Sequence, residues 1–371
     1  MMRITEKEII QYLQNSTREY APLVINRLEE QVTLADGYQA DAIIEFSIPD
    51  GPSFEALVEV TSVPTPKNIL QKSWQLSDSI NKANKSNVIP LLIAPYISKK
   101  QAQMLGDKGI SWIDLSGNMS IKVSNLIYIE RSGQRNRFPD TAPIKKIFQG
   151  TSSLVSRALL LKSKGFSSLY EIVDFINDRN ANITLSTVSK VIKSLEEELL
   201  IKRSGPLLTG TPINVIDKGK LLDRLAEGYI NSTDRKKRKT YRYAIEDSNK
   251  LFFSFYERQI DYAVCGFYAA QIKGLAVTDQ MTLFVKDIEQ VKKASRNNWI
   301  KITPDVEFGN LNIIEAKDPS VWFNVPRLMY NREAVVDDIE LYLEMMVDTP
   351  RGPKIAEQLK RRILNKADIN G

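Results

Sequence analysis

The chain has 371 residues, 43% of them hydrophobic and 26% charged, which is enough apolar material for two or three domains with separate cores. The single cysteine, Cys265, and the absence of histidine exclude disulfides within the chain, Cys/His zinc sites and catalysis by a histidine base. An enzyme of this composition must rely on carboxylates, lysines or a metal held by oxygen ligands.

The longest apolar run, over residues 88–93, is far too short to span a bilayer. The first residues, MMRITEKEII, carry charges where a signal peptide has an apolar segment. Both observations predict a cytoplasmic protein without a membrane partner.

Residues 1–145 predict an α/β layered domain. Apolar residues at helical spacing in 9–13 and 23–28 predict one or two packing helices. From Gln31 the apolar period approaches two, which predicts strands on both sides of a turn at 49–52. The pattern is completed by a polar helix over 66–85, a strand in VIPLLIAPY, a helix over 99–108, a strand in ISWIDL, and a tight turn at Asp114, Gly117 and Asn118.

Two carboxylates occupy neighbouring predicted strands, Asp41 near the end of one and Glu59 on the next. The arrangement resembles the core of PD-(D/E)XK nucleases, whose Asp and following Glu-X-Lys hold a divalent metal and place a lysine beside the attacking water. Here the second motif reads EVT, so Thr61 stands in the lysine position. Gln71 or Lys72 on the following helix can substitute, because some members of that superfamily carry the lysine elsewhere.

Two interpretations of these carboxylates stay open. In one, Asp41 and Glu59 hold Mg²⁺ through hard oxygen ligands and the chain is a metal-dependent DNA endonuclease. In the other, they are polar strand-end residues of a decayed nuclease scaffold. The missing lysine removes a cation that would stabilise charge during phosphodiester cleavage, and it favours the second interpretation.

Residues 169–216 predict two helices followed by a short hairpin. Ser168, three residues before Glu171, has the spacing of a capping box, and Thr184 can cap the second helix. Strands at 199–203 and 212–216 enclose a turn that contains Gly and Pro. This order predicts a winged helix-turn-helix.

The polar face of the second predicted helix combines hydroxyls with cations. Short polar side chains let a helix approach the bases of duplex DNA, and lysines neutralise phosphates. We therefore predict DNA contacts by the helix residues Ser186, Thr187, Ser189, Lys190 and Lys193, and by the wing residues Lys202 and Arg203.

Positive charge is concentrated in this part of the chain. Residues 150–242 contain 17 Lys and Arg against 10 Asp and Glu, a net charge of +7, whereas the whole chain carries +6. Five consecutive cations in a predicted linker at 234–243 add to it, and they are expected to lie along DNA phosphates: Arg235, Lys236, Lys237, Arg238 and Lys239.

Four motifs, in this order, resemble AbiEi-like antitoxins, the transcriptional-regulator half of type IV toxin-antitoxin (abortive infection) systems. They are an apolar strand, Pro-Tyr and helix leading to GISWIDLSGN; STVSKVIKSLEEELLIKR; an Asp-initiated helix, DKGKLLDRLAEGY; and IELYLEMMVDTPRGPKIAEQL. The resemblance covers about residues 88–362. It implies an autorepressor whose C-terminal domain counteracts a nucleotidyltransferase-like toxin.

The resemblance also implies a nucleotidyltransferase-like α/β fold for the C-terminal third. Its predicted elements are a helix through LFFSFYERQ, strands in DYAVCGFYAAQ, MTLFVKDI and LNIIEA, and two final helices. Active nucleotidyltransferases have a Gly-Ser turn and then an Asp-X-Asp pair. This chain has Gly266-Phe267 and TLFV, so catalysis there is not expected.

The sequence thus predicts three α/β and winged-helix domains: a restriction endonuclease-like domain without activity at 1–145, a winged helix at 146–233 and a nucleotidyltransferase-like domain at 234–371. The predicted function is transcriptional regulation through double-stranded DNA, without catalysis, metal or cofactor. The alternatives are the Mg²⁺-dependent DNase that uses Asp41 and Glu59, and a protein-interaction module.

Overall fold

A computed structural model describes residues 4–34, 37–83, 88–138, 145–162, 164–203, 212–326, 333–347 and 350–365. The chain divides into two compact units: unit 1 comprises 1–144 with 197–199, and unit 2 comprises 145–196 with 200–371. The predicted domain boundary at 145/146 lies next to this division, whereas the predicted boundary at 233/234 lies inside unit 2.

Unit 1 is built on one mixed sheet whose seven strands are adjacent in chain order. β1, β2 and β3 are antiparallel, β3, β4 and β5 are parallel, and β5, β6 and β7 are again antiparallel. The strands are β1 (Val24–Thr33), β2 (Gln39–Ser47), β3 (Ser53–Val60), β4 (Val88–Ala94), β5 (Ser111–Asp114), β6 (Met119–Val123) and β7 (Ile127–Arg131).

Helices cover both faces of this sheet. Ile9 and Ile10 of α1 (Glu6–Asn15) belong to the core on one face, and Ile69 and Leu76 of α2 (Pro66–Ala83) belong to the core on the other, which α3 (Lys99–Gly106) also joins. Unit 1 is therefore a three-layer α/β/α arrangement, as the alternating pattern predicted.

Local chemistry fixes the predicted turns of unit 1. Asp50, between β2 and β3, has a φ of 58°, which confirms the turn at 49–52. The carboxylate of Asp114 accepts hydrogen bonds from the backbone N–H groups of Ser116 and Asn118, both at 2.9 Å, and Gly117 has a φ of 94°. The second turn is thus held by a buried side chain and by a residue that tolerates positive φ.

The helix predicted over 23–28 is wrong, because this segment begins β1, which pairs along its length with β2. Leu23, Val24 and Leu28 have a spacing that fits either a helix or an irregular strand, and a short apolar run does not separate the two. Segment 23–28 forms a strand because the backbone N–H and C=O groups along the open edge of β2 need hydrogen-bond partners.

Unit 2 continues with ten helices and two groups of strands within the described residues. The helices are α4 (Gly150–Leu161), α5 (Leu169–Asn177), α6 (Leu185–Glu197), α7 (Lys218–Ile230), α8 (Thr233–Lys237), α9 (Ser248–Glu257), α10 (Gly266–Ile272), α11 (Ile288–Arg296), α12 (Asp338–Met345) and α13 (Gly352–Asn365). The strands are β8 (Ile201–Arg203), β9 (Ile213–Val215), β10 (Thr240–Ala244), β11 (Tyr262–Val264), β12 (Met281–Val285), β13 (Thr303–Pro304) and β14 (Leu311–Glu315).

The first part of unit 2 confirms the two predicted helices, α5 and α6, and the hairpin of β8 and β9. Helix α4 precedes them, and Phe166, between α4 and α5, makes a bridge to Ile213 that extends the hairpin. The turn predicted between the two hairpin strands falls on 204–211, outside the described residues. Three helices and a hairpin therefore share one apolar core.

The second part of unit 2 contains a sheet with the strand order β11-β12-β14-β10-β13. Two predictions fail here. The strand expected through DYAVCGFYAAQ ends at Val264, and α10 begins at Gly266. The linker expected at 234–243 is instead α8 followed by β10, which pairs with β14. Among the described residues, no helix is long and apolar enough to cross a membrane.

Candidate nucleic-acid interface and carboxylate site

Helix α6 is positioned by the segment that joins it to α5. Asn177, at the end of α5, accepts a hydrogen bond from the backbone N–H of Ile183 at 2.8 Å, and Asn180 adopts a φ of 55°. The hydroxyl of Thr184 accepts from the backbone N–H of Thr187 at 3.3 Å. The predicted cap of α6 is confirmed, and the sharp turn before it is held by two asparagines.

The two faces of α6 differ as predicted. Its apolar side is buried in the core of unit 2: Val188, Val191, Ile192 and Leu195. Ser186, Ser189, Lys190 and Lys193 are exposed, while Thr187 is half-buried with its hydroxyl 3.0 Å from that of Thr184. Within the described parts of the chain neither lysine has an ion-pair partner, so both charges face solvent.

The two hairpin cations have different surroundings. Lys202 is exposed on β8. Arg203 forms an ion pair with Glu196 of α6, with its Nε 2.8 Å from Glu196 Oε2, and only 16% of its side chain is exposed. Arg203 therefore ties the hairpin to α6, and its predicted DNA contact would have to compete with this ion pair.

The basic run at 235–239 is divided between the protein interior and the surface. Arg235 donates to the backbone carbonyls of Tyr229 at 3.2 Å and Ile230 at 2.9 Å, which are at the end of α7. The side chain of Arg238 is only 9% exposed and lies over the rings of Tyr229 and Phe284. The expectation that all five cations lie along phosphate is thus corrected, because two guanidinium groups are committed to the fold.

The three lysines of this run remain available, since Lys236, Lys237 and Lys239 are exposed and have no ion-pair partner in the described residues. Together with the lysines of α6 and Lys202 they are the candidate phosphate contacts.

In unit 1 the structure brings Asp41 of β2 and Glu59 of β3 together with Lys72 of α2. The Nζ atom of Lys72 is 3.0 Å from Asp41 Oδ2 and is also hydrogen-bonded to Glu59 Oε2. Glu59 is only 3% exposed, so its charge is poorly solvated. Lys72 supplies the cation that position 61 lacks, as the sequence left open, whereas Gln71 has no described contact with either carboxylate.

Each carboxylate also accepts a second hydrogen bond, Asp41 on the same oxygen and Glu59 on its other oxygen. Asp41 Oδ2 accepts from the backbone N–H of Val60 at 2.7 Å, and Tyr38 donates its hydroxyl proton to Glu59 Oε1. Thr61 is buried and its hydroxyl donates to the carbonyl of Val63 at 3.1 Å. The threonine in the lysine position is therefore part of the backbone scaffold and does not face the carboxylates.

Two residues of this site were not identified from the sequence. Tyr38 is next to the start of β2, and Glu6 opens α1, where partial burial raises its pKa although Lys72 opposes the shift. A residue at the start of a capped first helix gives no local sign of which strand ends it faces. Only the packing of α1 on the sheet places Glu6 near Lys72.

Both carboxylates bind an ammonium group in this structure. Lys72 hydrogen-bonds to both, and an ammonium and a divalent cation compete for the same oxygens. No group of three or more Asp, Glu, Cys or His side chains suited to a metal occurs among the described residues. The arrangement is a partly buried ion-pair cluster in which the charge of Lys72 balances those of the carboxylates.

Replacing Lys72 by Met tests that balance. Burial raises the pKa of Glu59 above its ordinary value of 4.5, and Lys72 and Tyr38 limit the rise. Because the folded carboxyl binds its proton more tightly than the unfolded one, Glu59 favours folding less as pH increases through its folded pKa. Without Lys72 that pKa rises further, so the variant should lose about 1 to 3 kcal/mol at pH 8 and less at pH 5.

The measurement is urea unfolding at both pH values, with the exposed Lys100→Met on α3 as the control. An equal loss at pH 5 and pH 8 would mean that Lys72 contributes packing and not charge.

Comparisons with protein-family models, with curated proteins and with solved structures found no match for this chain. The resemblance to AbiEi-like proteins therefore depends on the motifs quoted above. Function has to be inferred from the geometry of α6, of the hairpin and of the carboxylate site.

Proposed function

We propose that this chain is a cytoplasmic DNA-binding transcriptional regulator whose recognition helix is α6. One observation carries the proposal: the helix has hydroxyls and two unpaired lysines on its exposed face, directly opposite a buried apolar stripe. Short hydroxyls permit close approach to base edges, and the lysines offer charge to phosphates.

The finer fold assignments belong to the same proposal. We assign α4–α7 and the β8–β9 hairpin to a winged helix-turn-helix, with β8 and β9 as the wing. We assign unit 1 to a restriction endonuclease-like scaffold, because β2, β3, α2 and β4 occur in that order with Asp41 and Glu59 on adjacent strands. The remainder of unit 2 is assigned to a nucleotidyltransferase-like fold without its catalytic carboxylates.

Among DNA-binding regulators, the autorepressing antitoxin of a type IV toxin-antitoxin system agrees best with the four motifs. In such a system the partner is a nucleotidyltransferase-like toxin. A reading frame for a protein of that kind beside the gene, and its copurification with this chain, are the expected signs.

A metal-dependent DNase is the second candidate, and Lys72 is the observation that favours it, because it restores a lysine to the two carboxylates. We expect no cleavage, since that lysine is bound to one oxygen of each carboxylate and competes with a metal for them. Supercoiled plasmid incubated with Mg²⁺ or Mn²⁺ should stay intact. Metal-dependent nicking that disappears in both Asp41→Ala and Glu59→Ala would establish the nuclease.

Replacing Lys190 or Lys193 by Ala should weaken duplex binding to all sequences by a similar factor. Each lost phosphate contact should lower the slope of log affinity against log salt by about 0.9. Folding should be unchanged, because both side chains are exposed. Gel shifts over a salt series measure the effect, with exposed Lys301→Ala as the control; unchanged slopes in both variants would show that α6 does not face DNA.

Specificity should separate the α6 hydroxyls from the basic run. A Ser186/Thr187/Ser189 triple-Ala variant should lose about 1 to 3 kcal/mol at the cognate site and little on scrambled DNA. Ser186 and Thr187 should contribute less than Ser189, because their hydroxyls already pair with that of Thr184. A Lys236/Lys237/Lys239 triple-Ala variant should instead weaken both DNAs alike.

The two triple variants are compared on the DNA upstream of the gene and on a scrambled duplex of equal length. Suppose that the triple-lysine variant no longer distinguishes the cognate DNA from the scrambled duplex, while the triple-hydroxyl variant still does. Then α6 is not the element that recognises sequence.

A further inference from the structure

Unit 2 contains a cavity of about 540 Å³ between the end of α7, α8 and the second sheet. This volume is in the range of small-molecule sites. Aromatic rings line it at Tyr229, Phe267 and Phe284, while Arg238 and Glu344 bring polar groups to its wall. The wall thus mixes aromatic rings with polar groups, and such a wall can contact both an apolar body and a charged group of a ligand.

Arg238 is the strongest polar feature of this cavity. Its side chain is 91% buried, and its ion pair with Asp234 Oδ2 is long, at 3.5 Å, to a carboxylate that is half exposed. Its Nη1 donates to the Tyr229 hydroxyl at 3.4 Å, its Nη2 donates to Asp234 Oδ2 at 3.5 Å, and its Nε has no hydrogen-bond partner in the described residues. A buried guanidinium with one unused donor and one long hydrogen bond is stabilised by an anion that accepts from Nε and replaces the half-exposed Asp234 carboxylate at Nη2.

Glu344 does not supply that anion. Its carboxylate oxygen accepts from the backbone N–H of Gly266 at 3.1 Å. Burial, with the negative charge of Glu340 nearby, raises the pKa of Glu344 to about 8. The shift favours the neutral form of this carboxyl group. The other nearby carboxylate, Glu340, is paired with Arg157, with Nη2 and Oε2 2.6 Å apart.

We propose that this cavity binds a small organic anion with a flat apolar body. Its anionic group pairs with the guanidinium of Arg238, and its body packs against Phe267 and Phe284. The hydroxyls of Thr240 and Thr282 complete the polar contacts.

The site is connected by hydrogen bonds to α4, the first of the three helices that share a core with the β8–β9 hairpin. Tyr229 accepts from Arg238 and donates to Glu340 Oε1 at 3.3 Å, and Glu340 pairs with Arg157 of α4. An anion on Arg238 therefore changes the electrostatics of a hydrogen-bonded chain that ends on α4. An effect of the ligand on DNA affinity rests on the proposed function; binding of the ligand does not.

The test uses a matched pair of probes, 2-naphthoate and the neutral 2-naphthamide, titrated into the full chain by isothermal calorimetry. The wild type should bind one naphthoate per chain and bind naphthamide at least about tenfold more weakly, because only the anion forms the charged hydrogen bonds. Equal affinities, or no saturable binding of naphthoate, would overturn the proposal.

Variants locate the site. Arg238→Gln should remove the preference for the anion, while Lys236→Gln, an exposed cation on the same helical turn, should keep it. Because Arg238 is buried, Thr282→Phe is a second variant that fills the cavity and leaves the guanidinium in place; it should lower naphthoate affinity at least about tenfold with an unchanged near-ultraviolet circular dichroism spectrum. Full naphthoate binding in a folded Thr282→Phe protein would place the ligand elsewhere.

The outcomes also separate this inference from the proposed function, since the calorimetry contains no DNA. Naphthoate binding without any duplex binding would uphold the ligand site and contradict the regulator. Duplex binding without naphthoate binding would do the opposite.

Discussion

The ion pair between Arg157 and Glu340 is the constraint on which unit 2 depends. The two side chains are 1% and 0% exposed and join α4 to α12 across a shared core. Two guanidinium nitrogens of Arg157 have no hydrogen-bond partner in the described residues. The ion pair therefore offsets only part of the free-energy cost of removing this guanidinium from water. Such a pair adds little stability over an apolar one, but losing one partner costs about 3 to 5 kcal/mol. The pair therefore fixes how α4 sits on the C-terminal part.

Unit 1 meets the same electrostatic problem differently. Asp41, near the start of β2 and not near a strand end as predicted, lies beside Glu59 at the end of β3, and two neighbouring carboxylates of low exposure repel unless a cation lies between them. A metal is one solution and a lysine is the other. Lys72 of α2 hydrogen-bonds to one oxygen of each carboxylate, and Tyr38 donates a hydrogen bond to the other oxygen of Glu59. A lysine bound to both carboxylates in this way competes with a metal for their oxygens.

Elements marked by local chemistry were predicted well from the sequence. Ser168, Thr184 and Asp217 each cap the helix that follows, as their positions indicated. Elements that depend on distant partners were not: the segment 23–28 became a strand because β2 needed a neighbour, and α10 could not be distinguished from a continuation of β11. The same holds for the candidate functional residues. The apolar periodicity of α6 predicted which of its faces is exposed, whereas the contact of Lys72 with both carboxylates depends on tertiary packing.

The basic run at 235–239 shows that a count of charged residues overestimates the positive charge exposed on the surface. Arg235 and Arg238 are three residues apart and therefore lie on one side of a helical turn, the side that faces the protein. Arginine suits that side because its planar guanidinium binds carbonyls and stacks on rings, while lysine is a strongly hydrated point charge suited to the surface. The run RKKRK thus divides by residue type as well as by spacing, with arginines inward and lysines outward. The exposed positive charge of this run is therefore smaller than the sequence suggested, and both arginines that it loses line the cavity.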